Sequence, residues 1–330
     1  MTALTPIAPG LDALLDAESM TPRLRDALGG GAETNVLSIR PIVWKPGSRA
    51  LVAYTLDGPA GRRVIYGKHF AKPQRASRLY DTWVALQGID FGPSAGVPTL
   101  SAWIPDLSMV LYTPANGRPL DAAVRAHGTD APMRGVGAWL ARLHASAMRP
   151  GRRFDLAQEL VNLGRWAERV ATVVPPHAVA ARRLLRDLEG FADRIRPSAG
   201  VPVPIHKDFH YRHVVIGGKM VALDFDEVRL GDASFDVAHF CVYLVLLGAR
   251  DSHARALLPE LERGFLGGYI EHTGWAPDER FVFYSGYTCL KIAKQLAQMT
   301  GVEPRPGGRE RNRQLRLILE HGRALCGGGV

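Results

Sequence analysis

Hydrophobic and polar positions follow two patterns along the chain. Over residues 36–70 short apolar, β-branched and aromatic runs are interrupted by Lys45-Pro46-Gly47-Ser48-Arg49 and by Asp57-Gly58 and Gly61. Such runs bounded by turn residues read as strands, and Pro-Gly suits a tight turn, so three antiparallel strands are predicted. Two more short strands fit residues 99–103 and 108–113. Elsewhere the apolar positions recur at helical spacing. A leading helix is expected around Leu11, Leu14, Leu15, Leu24 and Leu28, closed by Gly29-Gly30-Gly31. Residues 73–87 form a second helix through Ala76, Leu79, Tyr80, Trp83, Val84 and Leu86, ended by Gly88. Helices are predicted at 132–148, 154–173, 177–195, 237–247, 254–273, 278–300 and 309–325, with a Pro- and Gly-rich loop at 301–308. The pattern is α+β, a strand-rich first part and a helical second part, and the boundary is placed so that one domain spans 1–113 and the other 114–330.

Composition changes this picture little. The 330 residues are 46% hydrophobic and 22% charged, ordinary for a globular chain long enough for two domains. Cys241, Cys289 and Cys326 have no metal-ligand spacing and cannot all pair, which suits a reducing compartment. Asp12 and Asp16 interrupt any signal-like apolar segment, and the strongly apolar run at 240–249 is half a membrane span. A cytoplasmic location without a membrane partner is expected. The net charge of +9 favours anionic partners such as nucleotides. The arginines are scattered rather than clustered with aromatics, so nucleic acid is not expected as a partner. Nothing in the sequence fixes the oligomeric state.

The chemistry concentrates between Val203 and Tyr243. His206-Lys207-Asp208-Phe209-His210-Tyr211-Arg212-His213 leads into an apolar strand, Val214-Val215-Ile216. Gly217-Gly218 then reads as a two-residue turn using positive φ, and the return strand ends on Asp224-Phe225-Asp226. A hairpin of this kind draws Asp208, His213 and Asp224 toward one another.

This segment resembles the aminoglycoside phosphotransferase family, relatives of choline kinase and more remotely of protein kinases. Its motif runs His-Gly-Asp-x-x-x-x-Asn, a hairpin, then Ile-Asp-Phe/Trp, and it is matched by His206, Asp208, His213 and Asp224-Phe225; Gly231-Asp232-x-x-x-Asp236 resembles a further conserved-type segment of that family. The resemblance implies a two-lobed protein kinase-like fold and an ATP-dependent enzyme that phosphorylates a hydroxyl of a small molecule, with GTP as an alternative nucleotide. It implies that Asp208 is the catalytic base, that Asp224 holds Mg2+ with His213 in the position of the metal-binding Asn, and that Asp226 assists at a second metal. Lys68 would contact the α- and β-phosphates, Ser48 and Arg49 would cover them, and backbone groups of Tyr112, Thr113 and Pro114 would meet the adenine edge. His206 and Asp236 would brace the loop, with Asp236 also capping the apolar helix that follows. Asp81, thirteen positions after Lys68, is the one acid on its helix that could hold that lysine.

Two departures leave other readings open. Magnesium prefers oxygen, so an imidazole at 213 is a poorer ligand than an amide carbonyl, and a nucleotide-binding pseudokinase is one alternative. His206, Asp208, His210 and His213, with Asp224 or Asp226, also make a set suited to a zinc-type hydrolase. No Walker A sequence is present. For the acceptor, residues 230–330 carry 11 acids against 12 Lys plus Arg, no acidic excess, which favours a neutral or zwitterionic alcohol, sugar or nucleoside over a polycation.

Overall fold

The computed structural model describes residues 12–30, 33–59, 61–127, 130–195, 201–300 and 308–327. Leu11 and most of the 301–308 loop lie outside them. The chain divides into two compact units, one of Met1–Ile89, Val97–Asn116 and Val221–Asp226, the other of Asp90–Gly96, Gly117–Met220 and Glu227–Val330.

In chain order the elements begin with α1 (Ala17–Ala27), β1 (Asn35–Lys45), β2 (Arg49–Asp57), β3 (Arg63–Phe70), α2 (Pro73–Gln87), β4 (Ala95–Gly96), β5 (Leu100–Ile104) and β6 (Met109–Tyr112). There follow β7 (Arg118–Pro119), α3 (Leu120–His127), α4 (Asp130–Ala145), α5 (Leu156–Val173), α6 (Ala178–Ile195), β8 (Val203–Ile205), β9 (Val214–Ile216), β10 (Met220–Ala222) and β11 (Arg229–Gly231). The chain ends with α7 (Ala233–Arg250), α8 (Ser252–Ala256), α9 (Leu258–Thr273), α10 (Glu279–Thr300) and α11 (Gly308–Gly327).

The first unit is an antiparallel sheet ordered β1-β2-β3-β6-β5. Pro41 is tolerated in β1 because that strand is at the sheet edge and slips register beside it. The turn between β1 and β2 has Pro46 followed by Gly47 at φ +66°, with Ser48 N–H donating to Lys45 C=O at 3.0 Å, as a type II turn requires. Met20 and Leu24 of α1 pack with Val52, Tyr54, Leu56, Ile65, Met109 and Leu111, a cluster withdrawn from water at about 1.5–3 kcal/mol per large side chain. Pro73 opens α2, where a missing N–H costs nothing, and Ala76, Leu79, Trp83 and Leu86 form its buried face.

The second unit is mainly helical. In its central helix α7, mostly apolar, 83% of the residues are buried, the signature of a core helix. Asp232, not Asp236, caps it, by accepting Ser234 N–H at 2.9 Å. Asp236 sits one turn in with no exposure and turns to other work. Helices α4 and α9 approach backbone to backbone: a Cβ at Gly137 would fall onto the Phe265 carbonyl, and one at Gly268 onto that of Arg134. The helix predicted at 254–273 is two helices, because Pro259 starts α9 afresh. The turn before β10 also departs from expectation. It spans Gly217–Lys219, with Gly217 N–H donating to Lys219 C=O at 3.1 Å, and neither glycine takes a positive φ.

Candidate active site

The candidate residues fall into two groups, each within one unit. In the sheet unit Lys68 projects from β3, 11% exposed, and its Nζ donates to Asp224 Oδ1 at 2.7 Å and Asp226 Oδ1 at 2.5 Å. Arg49 adds a bond to Asp226 Oδ2 at 2.7 Å. Burial alone would weaken the Lys68 ammonium, but Asp226 and Asp224 outweigh it and hold it charged, above its ordinary range. Burial pushes the Asp226 carboxyl up, against the pull of Lys68. Asp224 holds φ at +64°, rare for a side chain other than glycine and typical of strained functional positions. Asp81 is exposed, and the described partners of Lys68 are the two acids after β10, so the helix acid expected to hold this lysine does not.

Tyr112 ends β6 with its ring 4.7 Å from Trp83 and edge-on to Tyr66 at 5.8 Å. Thr113 spends its N–H on Thr99 C=O at 2.9 Å, and Pro114 has none. This stretch therefore offers carbonyl oxygens more readily than N–H groups. Ser48 takes its place through backbone bonds to Lys45 and to Ala71, whose N–H donates to Ser48 C=O at 2.9 Å.

In the helical unit the loop after β8 carries Asp208, and the whole of it is tied down from behind. Asp236 accepts His206 N–H at 2.5 Å and Lys207 N–H at 2.8 Å. His144 fixes that brace, with Nε2 3.2 Å from Asp236 Oδ2 and Nδ1 sharing a 2.8 Å bond with Tyr269. Burial would raise the Asp236 carboxyl, yet the His144 bond and the backbone donors keep it below the usual carboxylate range.

Lys207 stands where the resembling motif has glycine, and it holds φ at +70°. What keeps it there is a buried anchor unseen in the sequence. Its Nζ donates to Glu159 Oε1 at 2.8 Å and to Tyr287 Oη at 3.1 Å, Tyr287 donates to Glu159 Oε2 at 2.5 Å, and the rings of Phe154, Phe235 and Tyr287 lie 5.1–5.4 Å from the ammonium. Burial draws the ammonium down to about 8, opposed by Glu159. Tyr287→Phe removes one donor and one acceptor from this closed network, and a loss of about 1–3 kcal/mol in unfolding free energy is expected by denaturant titration. An unchanged midpoint would mean that the anchor is not holding the loop.

Asp208 itself is asymmetric. Its Oδ1 accepts Lys291 Nζ at 2.8 Å and lies 3.4 Å from His239 Nε2. Among the described residues its Oδ2 makes no hydrogen bond, with His210 Nε2 at 3.9 Å and His213 Nδ1 at 4.0 Å, and the side chain is 30% exposed. Burial would raise this carboxyl, but Lys291 and His239 prevail and hold it well below the usual range. The carboxylate is ionised, one oxygen is clamped, and the other is open to accept a proton.

His213 Nδ1–H donates to the Asp208 backbone carbonyl at 2.8 Å. His210 stacks on His213 at 3.9 Å and accepts Arg212 N–H on Nδ1 at 3.2 Å. Ligand atoms of Asp208, His210 and His213 lie within 4.8 Å of one another. For a divalent ion, Asp224 and Asp226 supply the oxygen donors that magnesium prefers, and they already converge on one cation, the Lys68 ammonium. His213 offers a nitrogen, which suits magnesium less than manganese or zinc.

A five-stranded antiparallel sheet followed by a mainly helical part, with an anchored Asp loop, defines an α+β kinase-like fold. The profile described as the phosphotransferase enzyme family matches residues 94–280, and the chain belongs to that family of small-molecule kinases. Among solved structures it is similar to spectinomycin phosphotransferase APH(9)-Ia in complex with ADP and spectinomycin, at 12% identity and TM-score 0.61 over 94% of this chain and 98% of that one. It is also similar to amicoumacin kinase hAmiN in complex with AMP-PNP, Ca2+ and Ami, at 16% identity and TM-score 0.60 over 94% and 95%. Choline kinase from Cryptosporidium parvum matches at 14% identity and TM-score 0.60 over 94% and 96%. No curated protein sequence matches.

Proposed function

We propose that the chain is an ATP-dependent phosphotransferase that moves the γ-phosphate to a hydroxyl of a small molecule. The observation that carries this is Asp208, an ionised carboxylate with Oδ1 clamped by Lys291 and Oδ2 left open. Held so, Oδ2 accepts the hydroxyl proton as the acceptor oxygen bonds to γ-phosphorus, the β–γ bridge bond breaks and ADP leaves. Lys68 binds the α- and β-phosphates, Ser48 and Arg49 cover them, and Tyr112 to Pro114 meet the base. A divalent ion held by Asp224, Asp226 and His213 would offset charge on the phosphates. That relatives are known in complex with ADP or AMP-PNP supports the choice of nucleotide.

The test is thermal unfolding with ATP and Mg2+ or Mn2+, with ADP release over a panel of hydroxylated acceptors. Nucleotide at about 100 times Kd should add about 2.7 kcal/mol of stability; no stabilisation with either ion would remove the reading.

The imidazole at 213 makes its own prediction. The wild type is expected to work better with Mn2+ than with Mg2+, and His213→Asn to shift that preference toward Mg2+, read as the ratio of kcat/KM with the two ions. Activity appearing only in His213→Asn would identify the natural protein as a nucleotide binder. The closeness of Asp208, His210 and His213 favours one second reading, a zinc hydrolase. Stoichiometric zinc in protein purified without added metal, together with acceptor-free hydrolysis, would decide for it.

A further inference from the structure

We infer that the acceptor carries an anionic group close to its reactive hydroxyl, and that Lys294, beside Lys291, binds that group. This deepens the phosphotransferase reading and rests on Asp208 being its base.

Positions 291, 294 and 295 share one face of α10, being three and four residues apart. Lys291 is spent on Asp208 Oδ1. Gln295 accepts Tyr243 O–H at 3.3 Å, and the Tyr243 ring stacks on His210 at 4.3 Å. Lys294 is half-buried, with its Nζ 5.3 Å from the centre of the Trp166 ring, and no carboxylate lies within ion-pair distance of it among the described residues. Nearby Lys207 is neutralised by Glu159.

Asp208 cancels Lys291, and among the described residues Lys294 stays a positive charge with no carboxylate partner, as does Arg250, whose guanidinium bonds Tyr211 and Gln314. Burial and the neighbouring Lys291 both weaken the hold of Lys294 on its proton, as expected for an ammonium that lacks a counter-ion. A cationic acceptor would bring like charge to this face in a partly desolvated setting, where repulsion is screened little. A carboxylate or phosphate on the acceptor supplies the missing counter-ion and seats the adjacent hydroxyl toward Oδ2.

The test uses the full-length protein, ATP and a divalent ion, and matched sets of acceptors: galacturonate, galactose and galactosamine, then glycerate, glycerol and aminopropanediol. The anionic member of a set is expected to lead in kcat/KM by about tenfold or more, the scale of one charge-assisted hydrogen bond. Lys294→Glu should invert the order, Lys294→Arg should keep it, and Lys294→Ala should raise KM for the anionic member about tenfold with a smaller change in kcat. Phosphorylation of no anionic member, preference for a cationic one, or an order unmoved by Lys294→Glu overturns the inference. ATP-dependent thermal stabilisation separates the two failures: where it is present, only the acceptor inference falls, and where it is absent, the kinase reading falls with it.

Discussion

Asp208→Asn is expected to lower phosphoryl transfer by about 10²–10⁴-fold, the usual contribution of a positioned base. Asparagine keeps the shape of the side chain and an oxygen for Lys291, but removes the charge that lets Oδ2 take a proton. The nucleotide contacts assigned to Lys68, Asp224 and Asp226 do not involve Asp208, so ATP-dependent thermal stabilisation should survive in the variant. Loss of turnover with retained nucleotide binding is the expected pair of results. Full activity would refute the assignment, and loss of both would show that the substitution had damaged the fold.

The second large effect belongs to Asp236. Asp236→Ala takes away the acceptor for two buried backbone N–H groups, His206 and Lys207, and for the His144 imidazole. Three buried polar groups are left without a partner at once, and a destabilisation of about 3–5 kcal/mol is expected from denaturant unfolding. Because Asp236 titrates lower in the folded chain than in the unfolded one, its contribution is fully present above the unfolded carboxylate value of about 3.9 and fades as pH falls through the lower, folded value. The gap between wild type and Asp236→Ala should therefore be constant near neutrality and close only in acid. A gap below about 1 kcal/mol at pH 7 would mean that the brace contributes little.

The sheet was legible because its determinants are local. The apolar runs of β1 to β3, Pro46-Gly47 in the first turn and Pro73 at the start of α2 act over a few residues, and the structure follows them closely. Helix ends were less legible: Asp232 and Asp236 are both acids near the start of α7, and only the packing of Asp236 against the loop amides tells brace from cap. Partners distant in sequence were not legible at all. Lys291 meets Asp208 across 83 positions, Glu159 meets Lys207 across 48, and Lys68 meets Asp224 across 156, where the sequence suggested Asp81 instead. A usable clue did exist for Lys207. A lysine in place of a motif glycine, adjoining an acid, needs a compensating contact, and a buried carboxylate on a packed helix is what supplies it.

The central claim is that the open oxygen of Asp208 serves phosphoryl transfer from ATP to an alcohol. The most direct measurement follows γ-labelled ATP with the purified chain, a divalent ion and the acceptor panel, side by side with Asp208→Asn. Label is predicted to move into an acceptor as a phosphate ester in the wild type and to remain in ATP in the variant. Label released only as inorganic phosphate, or transferred equally well by both proteins, would contradict it.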